Sequence, residues 1–291
     1  MKPAPFEYAR PETVEEVLSI LAEHGDEAKI LAGGQSLVPL LNFRMLRPAI
    51  LVDVNRVAAL DFLEVDGDIL RVGALTRHLS LELSDAVRTR LPVLRRAMEH
   101  VAHVAIRSRG TIGGSLSHAD PAAELPMMAR LLDARIHVRN SGGERVVDAA
   151  DFFLAPLTTS LEPEDLVTEV RLSLPPQGSG WAFEEYAQRS GDFAFAAVSA
   201  VVEAPEGRIE DIRLAAMGVD ETPVRLDAIE EELRGRVLDG RLVDGAVELA
   251  RQSVNPNTDL KASAEHRRHL MGVLTRRVIT QAVGRTGKAA A

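Results

Sequence analysis

Two glycine-rich segments set far apart in the chain constrain its fold most. They are Ala32-Gly33-Gly34-Gln35-Ser36-Leu37 and Gly110-Thr111-Ile112-Gly113-Gly114-Ser115. A Gly-Gly step lets the backbone curl so that consecutive N–H groups point into one concavity, and an adjacent hydroxyl adds a donor without bulk. Two such nests facing each other suit a diphosphate, so the pair suggests a dinucleotide rather than a single phosphate. Neither segment carries the Gly-Lys-Ser/Thr ending of a P-loop or the Gly-x-Gly-x-x-Gly spacing of a Rossmann unit. Taken singly, each Gly-Gly also reads as an ordinary turn.

At 291 residues and 46% apolar content, the chain can build a real core and has room for about two domains. A net charge of −9 argues against a nucleic-acid surface, which gains affinity by neutralising phosphates with Lys and Arg. There is no cysteine. Disulfides, a thiolate nucleophile and a thiolate-held iron–sulfur cluster are therefore excluded, and any cluster the function needs must come on another subunit. No apolar run approaches the roughly 18 residues of a membrane span, and Met1 to Arg10 lacks a secretory apolar stretch, so the expected location is cytoplasmic.

Thr13-Val14-Glu15-Glu16 is a capping-box pattern, and Val14, Val17, Leu18 and Leu21 follow at helical spacing until His24-Gly25. Lys29 to Leu31 is a short strand delivering the first glycine segment, and Ile50 to Val54 is another. Phe62 to Val65 and Ile69 to Gly73 flank the hairpin signal Asp66-Gly67. Thr76 to Val104 is mainly helical, with Pro92 starting a second segment. The second glycine turn follows, and then a helix over 121–132 with Asp120 as N-cap and Pro121 at its first position. Arg135 to Arg139 and Glu144 to Val147 form a hairpin, and Asp165 to Leu174 is a strand. Pro175-Pro176-Gln177-Gly178-Ser179-Gly180 reads as a linker. Strands over 181–187, 193–203 and 208–219 come next, then helices from Asp227, including a long one over 264–283. The tail from Gly284 is expected to fray. This alternation predicts two α+β units before the linker and one after it.

Several side chains invite a chemical reading. His100 and His103, three apart, read as metal ligands on one helix face or, without a third ligand in view, as satisfied histidines. His118 either approaches a ligand or fills a turn. Arg107 and Arg109 either add positive potential beside a diphosphate or pair with carboxylates. No Gly-x-Ser-x-Gly elbow is present, which argues against a hydrolase.

The segment Lys29 to Leu41, together with the run from Ile106 to Pro126, resembles the flavin-binding medium subunits of molybdenum hydroxylases, of carbon monoxide dehydrogenase and xanthine dehydrogenase type. Phe6-Glu7-Tyr8-Ala9-Arg10-Pro11 and Gly191-Asp192-Phe193-Ala194 are similar to that family too, and the resemblance runs from about Pro3 to Val283. It implies an α+β fold: an FAD-binding module of the vanillyl-alcohol-oxidase (PCMH) type over 1–176, in subdomains of about 1–57 and 58–176. A smaller α+β C-terminal domain over 177–286 and a frayed tail, 287–291, would follow. Ala32, Gly33, Gly34, Gln35, Ser36 and Leu37, with Thr111, Ile112, Gly113, Gly114 and Ser115, would hold the FAD pyrophosphate through backbone N–H groups and the Ser36 and Thr111 hydroxyls. Glu124 would hydrogen-bond the FAD through ribose hydroxyls. Phe193 would cover the isoalloxazine ring, and the backbone near Leu166 and Val167 would meet its edge. The chain departs from familiar members at Ser115, where Asn is common, and at Glu185, where some members carry a flavin-facing lysine. A carboxylate facing the flavin there would disfavour its anionic reduced form.

The resemblance implies an electron-transfer subunit with no catalytic side chain of its own. A molybdenum large subunit would oxidise the substrate, a [2Fe-2S] small subunit would pass electrons singly to FAD held here, and the FAD would deliver them to an external acceptor. The molybdenum cofactor and the cluster would sit only on those partners, in a doubled heterotrimer. A stand-alone FAD oxidase or dehydrogenase is the alternative, and a scaffold with a decayed flavin site a more distant one.

Overall fold

The computed structural model describes residues 2–287 and comprises three α+β units whose sheets follow one another along the chain. The first holds a three-stranded parallel sheet in the order Glu7–Ala9, Ile50–Asp53, Ala28–Leu31. All four residues of the central strand are buried, as a continuous apolar run in a parallel sheet must be. The helix Val14–His24 crosses over between the outer strands. It starts where the sequence predicts: the Thr13 hydroxyl accepts from the Glu16 N–H, and the Glu16 carboxylate accepts from the Thr13 N–H. Its Val17 and Leu21 pack with Val52, Val54 and Leu60 to form that unit's core.

The second unit is a five-stranded antiparallel sheet in the order Leu63–Asp66, Ile69–Gly73, Leu166–Ser173, Arg135–Asn140, Gly143–Asp148. The central strand is the last to be made, so it inserts between two hairpins formed earlier in the chain. Helices between Asp85 and Leu131 cover one face, with Leu70, Val72, Leu94, Met98, Met127, Met128 and Val170 in the shared core. Within the central strand Glu169 receives hydrogen bonds from Arg71 at 2.6 Å and Arg171 at 2.9 Å. Burial alone would raise its pKa, but the two guanidinium groups overcome that and hold it at about 2. Because this lies below the unfolded value of about 4.3, the network stabilises the fold above that pH and its contribution is lost as pH falls through 2. Glu169→Gln is expected to flatten the acid decline of Tm between pH 4.3 and pH 2, roughly the interval between the two values. An acid limb identical to that of the unmodified chain would show the network to be inert.

The third unit is a four-stranded antiparallel sheet in the order Gly180–Ala187, Ala194–Glu203, Asp211–Met217, Val224–Arg225. Its strand Ala194–Glu203 is buried from Ala194 through Val202, on both faces. The alternation of a strand explains how. Ala197 and Val201 point into the core of the second unit, while Ala196, Val198 and Ala200 point the other way, against the helices Gly240–Gln252 and Ala264–Arg285. The third sheet is thus docked through an apolar face.

Four local expectations change. The second glycine segment is the first turn of a helix, Ile112–His118, capped by Thr111. The helix expected from Pro121 begins at Glu124, because the Asp120 carboxylate accepts the Ala122 N–H in a turn and the Pro121 carbonyl accepts the N–H of Gly218. The stretch after Thr76 divides three ways, His78–Leu83, Asp85–Arg90 and Pro92–Met98, the middle helix being capped by Ser84. The last helix runs to Arg285, and the Gly287 N–H donates to the Gly178 carbonyl at 2.8 Å, so residues 284–287 are tied down. The remainder of the expected frayed tail, 288–291, lies outside the described residues.

Candidate functional site

The two glycine segments meet. A Cβ placed on Gly33 would lie 2.3 Å from the Arg109 carbonyl oxygen and 2.9 Å from the Gly110 Cα, so only a hydrogen fits between the loops. Gly34 has φ +74°, a left-handed conformation that favours glycine. A polar chain fastens the contact. The Asn55 amide donates to the Ala32 carbonyl at 2.8 Å, while Arg77 donates to the Asn55 amide oxygen at 2.6 Å and to the Arg109 carbonyl at 2.5 Å. Asp53 accepts from the Asn55 amide and from the Tyr8 hydroxyl. Sequence reasoning missed this staple. Its one signal was Asp53-x-Asn55 directly after a buried strand, a pairing that tends to fold back onto its own backbone.

Both segments line one cavity of about 690 Å³, between the first and second units. That volume suits a large organic ligand. Ala32, Gly33, Gly34, Gln35, Ser36 and Leu37 all line it, as do Thr111, Gly113, Gly114, Ser115, Glu124, Val167 and Phe193. Ile112 does not: its side chain is 1% exposed and belongs to the core. Leu166 packs in the core of the first unit and Val167 in that of the second, so the strand start borders both units and the cavity between them. Phe193 is 56% exposed at the rim, with the Lys261 ammonium 5.8 Å from its ring centroid.

The two segments present different chemistry. The N–H groups of Gly33, Gly34, Gln35, Ser36 and Leu37 meet no protein acceptor among the described residues, and the Gly33 carbonyl is already taken by the Gln35 amide. This is a cradle of free donors. In the second segment every N–H but that of Thr111 is spent within the protein: Gly110 N–H on Ile106, Ile112 N–H on Thr76, Gly113 N–H on Ala74, Gly114 N–H on the Thr111 hydroxyl, and Ser115 N–H on the Thr111 carbonyl. The expectation of a second open nest is corrected accordingly. Gly113 is needed for a different reason, because a Cβ there would lie 2.7 Å from the Ala74 methyl. The second segment supplies a close-packed wall, and the first supplies the donors.

Other wall residues are electrically tuned. Burial pushes the His78 imidazole down to about 4, with the Thr111 carbonyl opposing and Arg107 and Arg77 reinforcing. The ring is therefore neutral, and its Nε2 lies 3.0 Å from the Thr111 carbonyl oxygen it supports. Glu124, the first residue of the helix Glu124–Leu131, is pushed up to about 7, chiefly by burial and further by Asp120, against the pull of its own backbone N–H. Glu185 is not among the lining residues, so it does not face the cavity as its alignment with a flavin-facing lysine implied. Arg107 is turned away as well, bound to Glu82 at 2.6 Å and to the Val101 and Ala102 carbonyls. His118 and Asp120 line the cavity. His100 packs on Phe183 with ring centroids 5.0 Å apart, and His103 precedes the helix Val104–Arg107 as its N-cap residue.

The free-donor cradle, the glycine wall and the cavity volume fit an FAD diphosphate held by backbone N–H groups. Comparison with known proteins agrees. Residues 4–175 match the FAD-binding domain of molybdopterin dehydrogenases, and residues 181–282 match the carbon monoxide dehydrogenase flavoprotein C-terminal domain. The chain is 40% identical over 286 residues to the caffeine dehydrogenase subunit beta of Pseudomonas sp. strain CBB1, covering 98% of this chain and 97% of that one. It superposes on a chain of carbon monoxide dehydrogenase from Hydrogenophaga pseudoflava with a TM-score of 0.96 at 33% identity, covering 99% of this chain and all of that one. With quinoline 2-oxidoreductase from Pseudomonas putida 86 the TM-score is 0.93 at 37% identity, over 98% and 99% of the two chains. The α+β fold is thus a PCMH-type FAD-binding domain followed by a carbon monoxide dehydrogenase-type C-terminal domain, and among the described residues no helix is long and apolar enough to cross a membrane. The chain belongs to the FAD-binding medium subunits of molybdenum hydroxylases, the flavoprotein subunits of oxidoreductase complexes of carbon monoxide and xanthine dehydrogenase type.

Proposed function

We propose that this chain holds FAD in the 690 Å³ cavity and works as the electron-transfer subunit of a molybdenum hydroxylase complex. It receives electrons from a [2Fe-2S] small subunit, while a molybdenum large subunit oxidises the substrate and the assembly is a doubled heterotrimer in the cytoplasm. The observation that carries this reading is the row of unoccupied N–H donors from Gly33 to Leu37, fastened by Asn55 and Arg77 against the second glycine segment inside one cavity. Backbone donors of this kind bind a diphosphate by hydrogen bonding from a pre-set geometry. The Ser36 hydroxyl adds to them, and the Ser115 hydroxyl and the Thr111 N–H serve from the opposite wall. Glu124 takes ribose hydroxyls, Phe193 closes the rim over the ring, and the strand start at Val167 meets the ring edge.

Bound FAD accepts electrons one at a time and gives them up as a pair, which is the chemistry such a subunit needs. The protein's part is to bind, orient and shield. The absence of cysteine fits this division of labour, since the clusters then reside on another chain. Co-purification with the neighbouring polypeptides, followed by a visible spectrum with and without added FAD, tests the reading. Retention of yellow flavin together with iron–sulfur and molybdenum chains is expected. A purified single chain that oxidises substrate unaided would overturn it in favour of a stand-alone flavoenzyme.

A further inference from the structure

The second glycine segment keeps one donor unspent, the Thr111 N–H, and the stretch Ala74 to His78 holds the backbone around it. On one side, the Ile112 and Gly113 N–H groups go to the Thr76 and Ala74 carbonyls, at 3.1 and 2.9 Å. On the other, three successive carbonyls are taken. Arg77 donates to that of Arg109, and the His78 backbone N–H donates to that of Gly110 at 3.0 Å. The His78 ring, through Nε2, lies 3.0 Å from that of Thr111. Arg77 and Thr111 face each other as an antiparallel bridge.

Two of these contacts belong to His78, the first residue of the helix His78–Leu83. Its backbone N–H is available to Gly110 because a first-turn donor has no intrahelical partner. Its ring is placed by packing: a Cβ on Gly110 would lie 2.8 Å from both Cε1 and Nδ1, so the imidazole sits against a bare Cα. Nδ1 is buried with no partner. Since a carbonyl only accepts, the ring proton is on Nε2 and is donated to Thr111.

We propose that His78 aims the Thr111 N–H into the cavity by holding the peptide units on both sides of Thr111 at once. There is no cis peptide bond among the described residues, and in a trans unit the C=O and N–H point in opposite directions. The Gly110 carbonyl, turned towards His78, therefore turns the Thr111 N–H of the same unit away from it. The Nε2 contact fixes the next unit, so Thr111 is held from both ends. His78, Gly110 and Thr111 all line the cavity. Arg77 extends the control to the first segment through Asn55, which donates to the Ala32 carbonyl. Two adjacent residues thus set both walls against one another. Burial keeps the imidazole uncharged, so its donor is the same throughout the neutral range. What the aimed donor serves rests on the FAD reading above, in which it meets the diphosphate from the wall opposite Gly33 to Leu37. A donor aimed before the ligand arrives saves the cost of ordering it on binding. His78 acts through Thr111 and is a positioning residue.

Nitrogen-15 NMR of the full chain labelled at histidine, without FAD, tests the ring contact separately from flavin binding. The signal that disappears in His78→Gln is expected to show a protonated Nε2 and a bare Nδ1 at neutral pH. The opposite tautomer, or exchange between the two, overturns the contact however well FAD binds. Flavin fluorescence titration tests the aim. His78→Leu is expected to lose at least about tenfold in FAD affinity, the order of one hydrogen bond to a charged group. His78→Gln, whose amide nitrogen reaches as far as Nε2, is expected to stay within about threefold. Full affinity in His78→Leu, or an equal loss in both variants, overturns the positioning role. The Thr111 amide resonance should also move when FAD is added. An unmoved resonance in the flavin-loaded, unmodified chain overturns the aim, whether or not His78→Leu folds. An unmodified chain that takes up no FAD overturns the FAD reading and the aim with it, while the tautomer still decides the ring contact.

Discussion

Gly33→Ala is expected to abolish FAD retention by the purified chain, with affinity falling at least about 100-fold, which corresponds to roughly 2.7 kcal/mol. A single added methyl carries this effect because it has nowhere to go. It would stand 2.3 Å from the Arg109 carbonyl oxygen and 2.9 Å from its carbon, and backbone cannot swing aside as a flexible side chain would. Relief requires the two glycine segments to part, which breaks the Asn55 and Arg77 staple and tilts the Gly33–Leu37 donors off a common centre. Overpacking of this kind costs about 1–3 kcal/mol and occasionally more. Binding therefore suffers while the third unit, which has a core of its own against the helices Gly240–Gln252 and Ala264–Arg285, keeps its fold. Gly245→Ala is the matching control, because nothing lies within 4 Å of the added atom in the helix Gly240–Gln252. Flavin fluorescence titration with far-ultraviolet circular dichroism separates the two effects. Full flavin occupancy in Gly33→Ala would remove the cradle argument.

Arg225→Leu should lower global stability by about 3–5 kcal/mol, because it strands a buried charge. Arg225 binds both oxygens of Glu230, and it donates to the Arg130 carbonyl at 3.0 Å and to Asp133 at 2.7 Å. Glu230 is 4% exposed and in return accepts the Leu214 N–H at 2.7 Å. Losing the arginine leaves that carboxylate with one neutral donor and removes one of two ties between the third unit and the end of the helix Glu124–Leu131, the other being Arg213 to Asp133 at 3.6 Å. Adding Glu230→Gln removes the charge but keeps an acceptor for Leu214, so the double variant should recover more than half of the loss. Denaturant unfolding of the single and double variants measures this. A double variant no more stable than Arg225→Leu would mean that the buried charge is not the cause.

Much of the fold was legible in the residues because the signals were local. The capping box at Thr13, the apolar run at Ile50–Asp53 and the Asp66-Gly67 hairpin each set their own geometry within a few residues. The first glycine segment, expected to be an open cradle of donors, leaves its N–H groups from Gly33 to Leu37 without a protein acceptor among the described residues. The second differs, because whether Gly113 and Gly114 form a turn or a helix depends on Thr76 and Ala74, which take two of the N–H groups. Asp120 and Pro121 form a plausible helix start by sequence, yet Gly218, almost a hundred positions later, claims the Pro121 carbonyl. The Arg77 half of the staple and the burial of Glu185 left no sequence signal beyond ordinary polar residues. Their partners lie on other elements.

The amino-acid sequence by itself determined that the chain carries no thiolate chemistry, has two glycine segments able to approach a ligand closely, and alternates strands and helices in three α+β units. Each of these follows from residue type and spacing, which act over one turn or one strand. Only the tertiary structure decided that the two segments touch, that one offers donors and the other a wall, and that the third sheet buries both faces. Those outcomes depend on which distant backbone groups satisfy one another once the chain excludes water, and a pattern within a short window holds no information about such partners.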